Sequence, residues 1–293
     1  MHVYRLRLKG LLLFSIVLIS CFLRPLYDLA RFAWHSDLYS HIFLIPFLSA
    51  YLISLKKPSL APSSKLQPSM ALVPLLVGAL SLAAYWRVAS AGHLLKQEDY
   101  LALMNIAFLN FLVSGALLFL GADLLRQLAF PVALLLFMVP FPSVWLRIIE
   151  SFLQHRSADV ADILFGLAGT PFLREDTFFQ LPGMPLEVAP ECSGVHSTLI
   201  LFITSLVAGY WFLRTPWKRA VLALLVLPVA VFRNGFRIFT IGELCVYVDP
   251  QMIHSPIHTH GGPLFFVLSL VPFFLLLALL RKGEPDGRSR SQE

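Results

Sequence analysis

Long apolar runs alternate with short polar or basic segments along almost the whole chain. A helix that crosses a bilayer needs about 20 consecutive, mainly apolar residues, and eight runs approach or reach that length. They cover residues 10–23, 41–55, 70–86, 100–120, 124–146, 192–213, 220–236 and 263–280. The pattern predicts an all-α, polytopic integral membrane protein with about eight transmembrane helices.

Several segments break the apolar pattern. Residues 147–169 mix apolar and charged side chains, which is typical of an amphipathic helix that lies at the membrane interface. Residues 170–191 are polar and contain four prolines, which predicts an ordered loop on the outer face that can include short strands. Residues 238–260 form a second mixed segment, and residues 283–293 form a polar tail. We predict a single transmembrane domain.

The composition narrows the class of protein. Hydrophobic residues make up 57% of the 293 residues and charged residues only 14%, whereas soluble domains carry about 25% charged residues. A soluble globular domain and a disordered chain are therefore excluded. The net charge of +6 comes from basic residues beside apolar runs, so we predict contact with membrane lipid and no nucleic-acid partner. Three cysteines without metal-ligand spacing predict neither a disulfide framework nor a metal site, and we expect no cofactor.

The basic residues also orient the chain. Arg5, Arg7 and Lys9 precede the first run and place the N-terminus in the cytoplasm. The first run has features of a signal peptide, but we interpret it as a retained helix because membrane runs continue to the end of the chain. The basic clusters after the second, fourth, sixth and eighth runs then also lie in the cytoplasm. Arg233 and Arg237, at the outer end of the seventh run, break the rule and therefore indicate a function.

This topology brings three chemical features to the outer face of the membrane. Cys192 begins the sixth run, and Arg233 with Arg237 ends the seventh. The histidines that precede the eighth run are His254, His258 and His260. A nucleophile, a cation and a proton-transfer group are the groups that acyl transfer through a thioester requires.

The predicted position of Cys192, in the first turn of a helix, favours this chemistry. A helix N-terminus carries partial positive charge and free N–H groups, which favour the thiolate over the thiol. Ser193 and Gly194 are small, so a substrate carbonyl can approach the sulfur and the free N–H groups, which form a candidate oxyanion hole. His196, one helical turn after Cys192, is an alternative base.

Each of these residues also has a simpler interpretation. Cys192 can be a packing residue, as we expect for Cys21 and Cys245. Arg233 and Arg237 can anchor lipid phosphates at the end of a span. The three histidines before the eighth run can bind a metal, but no nearby carboxylate or cysteine completes a ligand set convincingly.

Four stretches resemble the exosortase/archaeosortase family of membrane cysteine transpeptidases. They occur in family order, and the first and last of them lie at residues 34 and 266, so they extend over nearly the whole chain. They are Trp34 and Asp37 with Tyr39-Ser40-His41 and Phe43-Leu44-Ile45-Pro46, Leu186-Glu187-Val188-Ala189-Pro190-Glu191-Cys192-Ser193-Gly194, Arg233-Asn234-Gly235-Phe236-Arg237-Ile238, and His258 with Gly262 and Phe266. The last stretch departs from the family pattern, because Pro263 follows Gly262 where many exosortases have tryptophan. This departure leaves the subtype open.

The resemblance implies roles for individual residues. Cys192 would be the nucleophile, and His258 would transfer the proton. Arg237 fits the Asn-x-x-Arg pattern of the exosortases, whereas Arg233 fits some relatives by its spacing from the cysteine; both are candidates for the catalytic arginine, and we favour Arg237. The positions that we assign to substrate binding are Ser193, Gly194, Asn234, His254 and His260.

The resemblance also implies the partners and the location. The substrates would be exported proteins with a C-terminal sorting signal of PEP-CTERM type, which consists of a short motif, one membrane span and a basic cluster. The enzyme would lie in the bacterial inner membrane, with both termini in the cytoplasm and the active site on the periplasmic face. The acceptor that resolves the thioester, whether water or another amine or hydroxyl, is left open.

Three other functions fit parts of the pattern. A transporter would place ionisable residues deep in its spans, whereas here they gather at one surface. An enzyme acting on lipid or glycan would use Arg233 and Arg237 to hold a phosphate and would tolerate loss of Cys192. A structural subunit would tolerate the loss of all three residues.

Overall fold

The chain consists of two compact units. The computed structural model describes residues 2–56, 68–92, 95–255 and 261–282. The first unit is Met1–Leu146 and the second is Arg147–Glu293. The single domain expected from the sequence stays a prediction.

The described part of the first unit is helical. Its helices are α1 (His2–Cys21), α2 (Leu23–Trp34), α3 (Leu44–Lys56), α4 (Pro68–Ser90), α5 (Gln97–Leu120), α6 (Ala122–Gln127) and α7 (Ala129–Leu134). A 3-10 turn, Ser40–Phe43, leads into α3, and another, Leu135–Met138, follows α7. The chain bends by 70° between α1 and α2.

Helix α5 is the centre of the first unit and packs against α1, α2 and α4. Two buried hydroxyl groups hold neighbouring helices together. Ser114 Oγ donates to Ala71 O of α4 at 2.9 Å, and Ser49 Oγ of α3 donates to Pro131 O of α7 at 2.8 Å. Such bonds satisfy polar groups that hydrocarbon cannot solvate, so they add specificity to an otherwise apolar interface.

The second unit combines helices with a small sheet. Helix α8 begins just before the unit boundary and continues into the second unit. The elements are α8 (Ser143–Ala168), β1 (Leu173–Glu175), β2 (Phe178–Leu181), β3 (Met184–Glu187), a 3-10 turn (Pro190–Ser193), α9 (Val195–Phe212), α10 (Pro216–Tyr247), a 3-10 turn (Pro250–His254) and α11 (Gly262–Lys282).

The predicted fold class, an all-α polytopic membrane protein, is confirmed. Helices α4, α5, α9, α10 and α11 are long and apolar enough to cross a membrane. Two bent pairs, α1 with α2 and Ala129–Met138 with α8, raise the number to at most seven among the described residues. The predicted count of eight is not confirmed, because the second apolar run forms the helix Ser40–Lys56, which is shorter than a span. The helix expected over residues 147–169 is present as the greater part of α8, and its place at the membrane interface stays a prediction.

Helix α10 continues well beyond the seventh apolar run. The predicted end of this helix at residue 236 is therefore wrong, and residues 238–247 of the mixed segment predicted over residues 238–260 belong to the helix, which ends at Tyr247. It is 32 residues long, or about 48 Å at about 1.5 Å per residue, whereas the hydrocarbon core of a bilayer is about 30 Å thick. Ile238, Ile241 and Cys245 are buried against α8 and the sheet, and this burial stabilises the additional turns. Arg233 and Arg237 therefore lie inside a helix and not at its end.

The segment before Cys192, expected as an ordered loop that can include short strands, contains three antiparallel strands in the order β1-β2-β3. Inward and outward positions alternate, as a half-buried sheet requires. Phe179 and Leu181 of β2 and Leu186 of β3 are buried and pack against α8 and the last turns of α10. The sheet therefore fixes the chain that leads to Cys192.

The N-terminal half of α10 packs against α9 and α11. The buried residues of this second core are Leu201, Ala208, Leu213, Leu222, Val226, Ala230, Phe273 and Leu277. Helix α10 thus belongs to two cores. One is made with other candidate spans, and one is made with α8 and the sheet.

Gly235 allows α8 and α10 to touch. A Cβ atom here would lie 2.5 Å from Val160 Cβ and 2.8 Å from Ser157 O. We expect Gly235→Ala to separate the helices and to lower the free energy of unfolding by about 1–3 kcal/mol, measured as a lower midpoint of thermal unfolding in detergent. Gly166→Ala in α8 is the matched control, because nothing lies within 4 Å of its added Cβ. Equal midpoints for the two variants would contradict this prediction.

Candidate active site

Cys192 lies in a short loop between β3 and α9. Val188 lies just after β3, and both its N–H and its carbonyl group are hydrogen-bonded. Its N–H donates to Thr177 O at 3.0 Å, and its carbonyl accepts from Gln154 Nε2 of α8. The 3-10 turn follows, in which Cys192 N donates to Ala189 O at 2.8 Å. Bonds from the turn between β1 and β2 and from α8 therefore hold the chain four residues before the cysteine.

Cys192 precedes the helix, which corrects the predicted place in its first turn. Pro190 occupies the start of the 3-10 turn, and Gly194 has a φ of +74°, a left-handed conformation that favours glycine. Gly194 caps α9, which begins at Val195. Cys192 thus lies two residues before the N-cap of α9.

Asn234 of α10 holds the cysteine loop in place. Its Nδ2 donates to Cys192 O at 2.8 Å and to Ser157 Oγ of α8 at 3.1 Å. Asn234 and Ser157 are both buried, where an unpaired amide is costly. One amide group therefore connects α8, α10 and the loop.

Arg233 lies against the same loop. A Cβ atom on Gly194 would be 3.2 Å from Arg233 Nη2 and 2.9 Å from Asn234 Cγ. A larger residue than glycine would therefore displace these two side chains. The small size of residue 194, which the sequence suggested would admit a substrate, also allows α10 to approach the cysteine loop.

Cys192 and Arg237 line one small cavity of about 20 Å³, which has room for about one water molecule. Asn234 also lines it, and the remaining wall is mostly apolar. Apolar walls strengthen electrostatic interactions inside a site. The structure thus brings together the predicted nucleophile and one of the two candidate arginines.

Arg233 is only 5% exposed. In the part of the chain that the structure describes, its Nη2 has no hydrogen-bond partner, and none of the ion pairs includes it. A buried donor nitrogen without an acceptor is unfavourable by itself.

The histidines are less closely placed. His258 and His260 lie outside the described residues, and His254 is an exposed residue at the end of a 3-10 turn. His196 lies in the first turn of α9 and is partly exposed. The proton-transfer role of His258 stays a prediction, as do the substrate-binding roles of His254 and His260.

The first of the four motif stretches lies in the first unit. Trp34 ends α2 and is highly exposed. His41 lies in the 3-10 turn before α3, and its ring nitrogens are 3.1 Å from Leu38 O and 3.2 Å from Phe137 O. These contacts give His41 a structural position in its own unit.

The family model described as "Transmembrane exosortase (Exosortase_EpsH)" matches residues 33–275. This chain belongs to the transmembrane exosortase family. The match contains all four motif stretches and confirms the resemblance. No curated protein and no solved structure matches the chain.

Two residues of this candidate site were not found by sequence analysis. Gln154 and Ser157 are three residues apart on α8, so they share a helix face, and both bind the cysteine loop directly or through Asn234. The sequence feature that could have identified them is a pair of uncharged polar residues on one face of an amphipathic helix. Their partners are 34 and 77 residues away, a separation that a local pattern does not bridge.

The contacts of Asn234 give a testable expectation for this exosortase. We expect Asn234→Ala to lower the free energy of unfolding by about 1–3 kcal/mol, because Cys192 O and Ser157 Oγ lose their shared donor. The measurement is thermal unfolding of the detergent-solubilised protein. Asn110→Ala in α5 is the control, since the bond that its amide makes among the described residues stays within its own helix, to Ile106 O. An unchanged midpoint for Asn234→Ala would contradict the connecting role.

Proposed function

We propose that this exosortase cleaves the C-terminal sorting tail of exported proteins through a thioester on Cys192. The observation that supports the proposal is the shared cavity of Cys192 and Arg237. The cavity is large enough for one small group, such as a peptide carbonyl. The sulfur is a nucleophile for the carbonyl carbon, and the guanidinium can stabilise the negative charge that the oxygen gains.

The reaction has two steps. The Cys192 thiolate attacks the motif carbonyl, a C–S bond forms, and the C–N bond to the tail breaks. We assign to His258 the transfer of a proton to the leaving amine, and Arg237 or Arg233 stabilises the oxyanion. An incoming amine, hydroxyl or water then attacks the thioester, gives its proton to the histidine and releases the Cys192 thiolate.

The site's place in the cell is part of the proposal. We place both termini in the cytoplasm and the Cys192 loop on the periplasmic face of a bacterial inner membrane, because the basic clusters then follow the positive-inside rule. The proposed substrates are exported proteins whose tail combines a short motif of PEP-CTERM type, one span and a basic cluster.

The thioester is tested with a tailed reporter, which we define as an exported, epitope-tagged protein carrying a candidate sorting tail from the same genome. Membranes containing the wild-type enzyme and the reporter are incubated with hydroxylamine, a strong nucleophile. We expect the shortened reporter to end in a hydroxamate, detected by mass spectrometry, because hydroxylamine competes with the natural acceptor for the thioester. A shortened reporter that carries only a carboxylate, whatever the hydroxylamine concentration, would exclude the thioester.

A further inference from the structure

A second cavity lies in the first unit, between α2 and the beginning of α5, and has a volume of about 320 Å³. Its described lining consists of Asp28, Arg31, Phe32 and His35 of α2 and Gln97 of α5. We name this cavity the polar pocket. Four of these five side chains form hydrogen bonds, and the volume is within the range of about 300–1,000 Å³ that is usual for small-molecule sites.

We propose that the polar pocket binds a phosphoethanolamine group, the head group of a membrane phospholipid. The inference goes beyond the proposed function and involves no residue of the Cys192 cavity. The pocket and the thioester can therefore be tested independently.

Helix α2 has three faces that place it at the surface of the membrane. It is bent by 70° from α1. Leu29 and Ala33 on one face are buried against Leu101 of α5, Tyr27 and Trp34 on a second face are 65% and 78% exposed, and the third face carries the polar residues of the pocket. A helix with one apolar and one polar exposed face is suited to the boundary between hydrocarbon and water, where tyrosine and tryptophan are enriched. We therefore place the polar pocket at the level of the lipid head groups.

The pocket contains one charge of each sign, and the two charges do not neutralise each other. Asp28 and Arg31 are three residues apart on α2, or about 4.5 Å along its axis, but no ion pair among the described residues includes either of them. Asp28 Oδ2 accepts one long bond, from Tyr100 Oη at 3.4 Å. In the described part of the chain, the Arg31 guanidinium takes part in no hydrogen bond. A ligand with an anionic group and a cationic group would complement both residues.

His35 adds a second acceptor to the pocket. Its Nδ1 is 2.8 Å from Arg31 O. A carbonyl oxygen only accepts, so this contact assigns the proton of the neutral ring to Nδ1 and leaves Nε2 as an acceptor. Asp28 and His35 therefore require a donor, whereas Arg31 requires an anion.

These requirements select phosphoethanolamine among the common head groups. The planar guanidinium of Arg31 matches phosphate oxygens, and a primary ammonium donates up to three hydrogen bonds. The quaternary ammonium of phosphocholine has no N–H to donate to Asp28 or His35. Phosphoglycerol has a net negative charge, which the Asp28 carboxylate repels.

The lipid selectivity of the purified full-length protein tests the proposal. The delipidated protein in detergent is titrated with phosphatidylethanolamine, phosphatidylcholine or phosphatidylglycerol, and bound lipid is measured by native mass spectrometry. The acyl chains are identical, so that apolar contacts are the same for all three lipids. We expect phosphatidylethanolamine to bind about tenfold more tightly than either of the others, which corresponds to about 1.4 kcal/mol. Equal Kd values for the three lipids would overturn the proposal.

Two variants test the charges of the pocket. We expect Asp28→Asn to remove the preference for phosphatidylethanolamine, because the acceptor for the ammonium is weakened and phosphatidylglycerol is no longer repelled. Arg31→Gln should weaken binding of phosphatidylethanolamine about tenfold, because the phosphate loses its charged donor. Arg24→Gln is the matched control, since Arg24 is an arginine of the same helix outside the described lining, and it should keep the wild-type selectivity. Wild-type selectivity in Asp28→Asn would contradict the proposed site.

A water-soluble ester distinguishes the two sources of the group. Glycerophosphoethanolamine has the same head group without acyl chains. We expect it to displace phosphatidylethanolamine only at a concentration that is higher by a factor of about 100 or more, because buried acyl chains add to the affinity of a lipid. Displacement at equal concentrations would overturn the lipid as the ligand and assign the pocket to a soluble ester.

Discussion

Replacing Cys192 by alanine is expected to reduce shortening of the tailed reporter by a factor of about 10³ or more, the scale on which loss of a covalent nucleophile reduces turnover. The sulfur lines the same cavity as Arg237, and alanine offers no atom that can form the acyl intermediate. The measurement is a pulse-chase in cells, in which full-length and shortened reporter are separated by mass on a gel. The amount of enzyme in the membrane is determined in parallel.

Cys245→Ala is the control for this result. Cys245 is a buried thiol on the same helix as Arg233 and Arg237, and it packs against α8 and the sheet. We expect this variant to process the reporter with a rate within about twofold of the wild type, since a buried thiol acts as a small apolar side chain. Normal shortening by Cys192→Ala would show that the nucleophile is wrong. The phosphate-binding and transport functions would then become the stronger hypotheses.

Sequence analysis predicted the membrane class and most helices, because burial in lipid imposes a simple requirement. A span must be apolar along its length, and five such helices lie where apolar runs were found. The missed boundaries have physical causes. Helix α10 extends to Tyr247 since Ile238, Ile241 and Cys245 are buried by α8 and the sheet. This tertiary burial stabilises helical turns that no local apolar run indicates.

The candidate site was predicted in part for a similar reason. Cys192 and the two arginines have distinctive chemistry, so they are visible one residue at a time. Their arrangement depends on bonds between distant segments, such as Asn234 Nδ2 to Cys192 O. The left-handed Gly194, which places Cys192 before the helix and not in its first turn, is likewise a backbone property that apolar periodicity does not report.

The two arginines are expected to differ in effect. We predict that Arg237→Gln lowers the rate of reporter shortening by a factor of about 10² to 10³, the usual cost of removing one oxyanion-stabilising donor, because Arg237 lines the cavity with Cys192. Arg237→Lys should recover little of this loss, since an ammonium does not reproduce the planar fork of donors. Initial rates from the pulse-chase, corrected for the amount of enzyme in the membrane, provide the measurement.

Arg219→Gln is the matched control, because it removes an arginine from the same helix without touching the cavity. Arg219 Nε donates to Leu213 O at 2.8 Å, near the beginning of α10, and Arg214 and Lys218 remain to set the topology. We expect its shortening rate to stay within about twofold of the wild type, since the hydrogen bond to Leu213 O and the cation–π contact with Tyr210 that it loses both lie away from the cavity. A wild-type rate for Arg237→Gln, together with a large loss for Arg233→Gln, would contradict the prediction. In that case the buried Arg233, beside Gly194, would be the residue that stabilises the oxyanion, and Arg237 would only line the cavity.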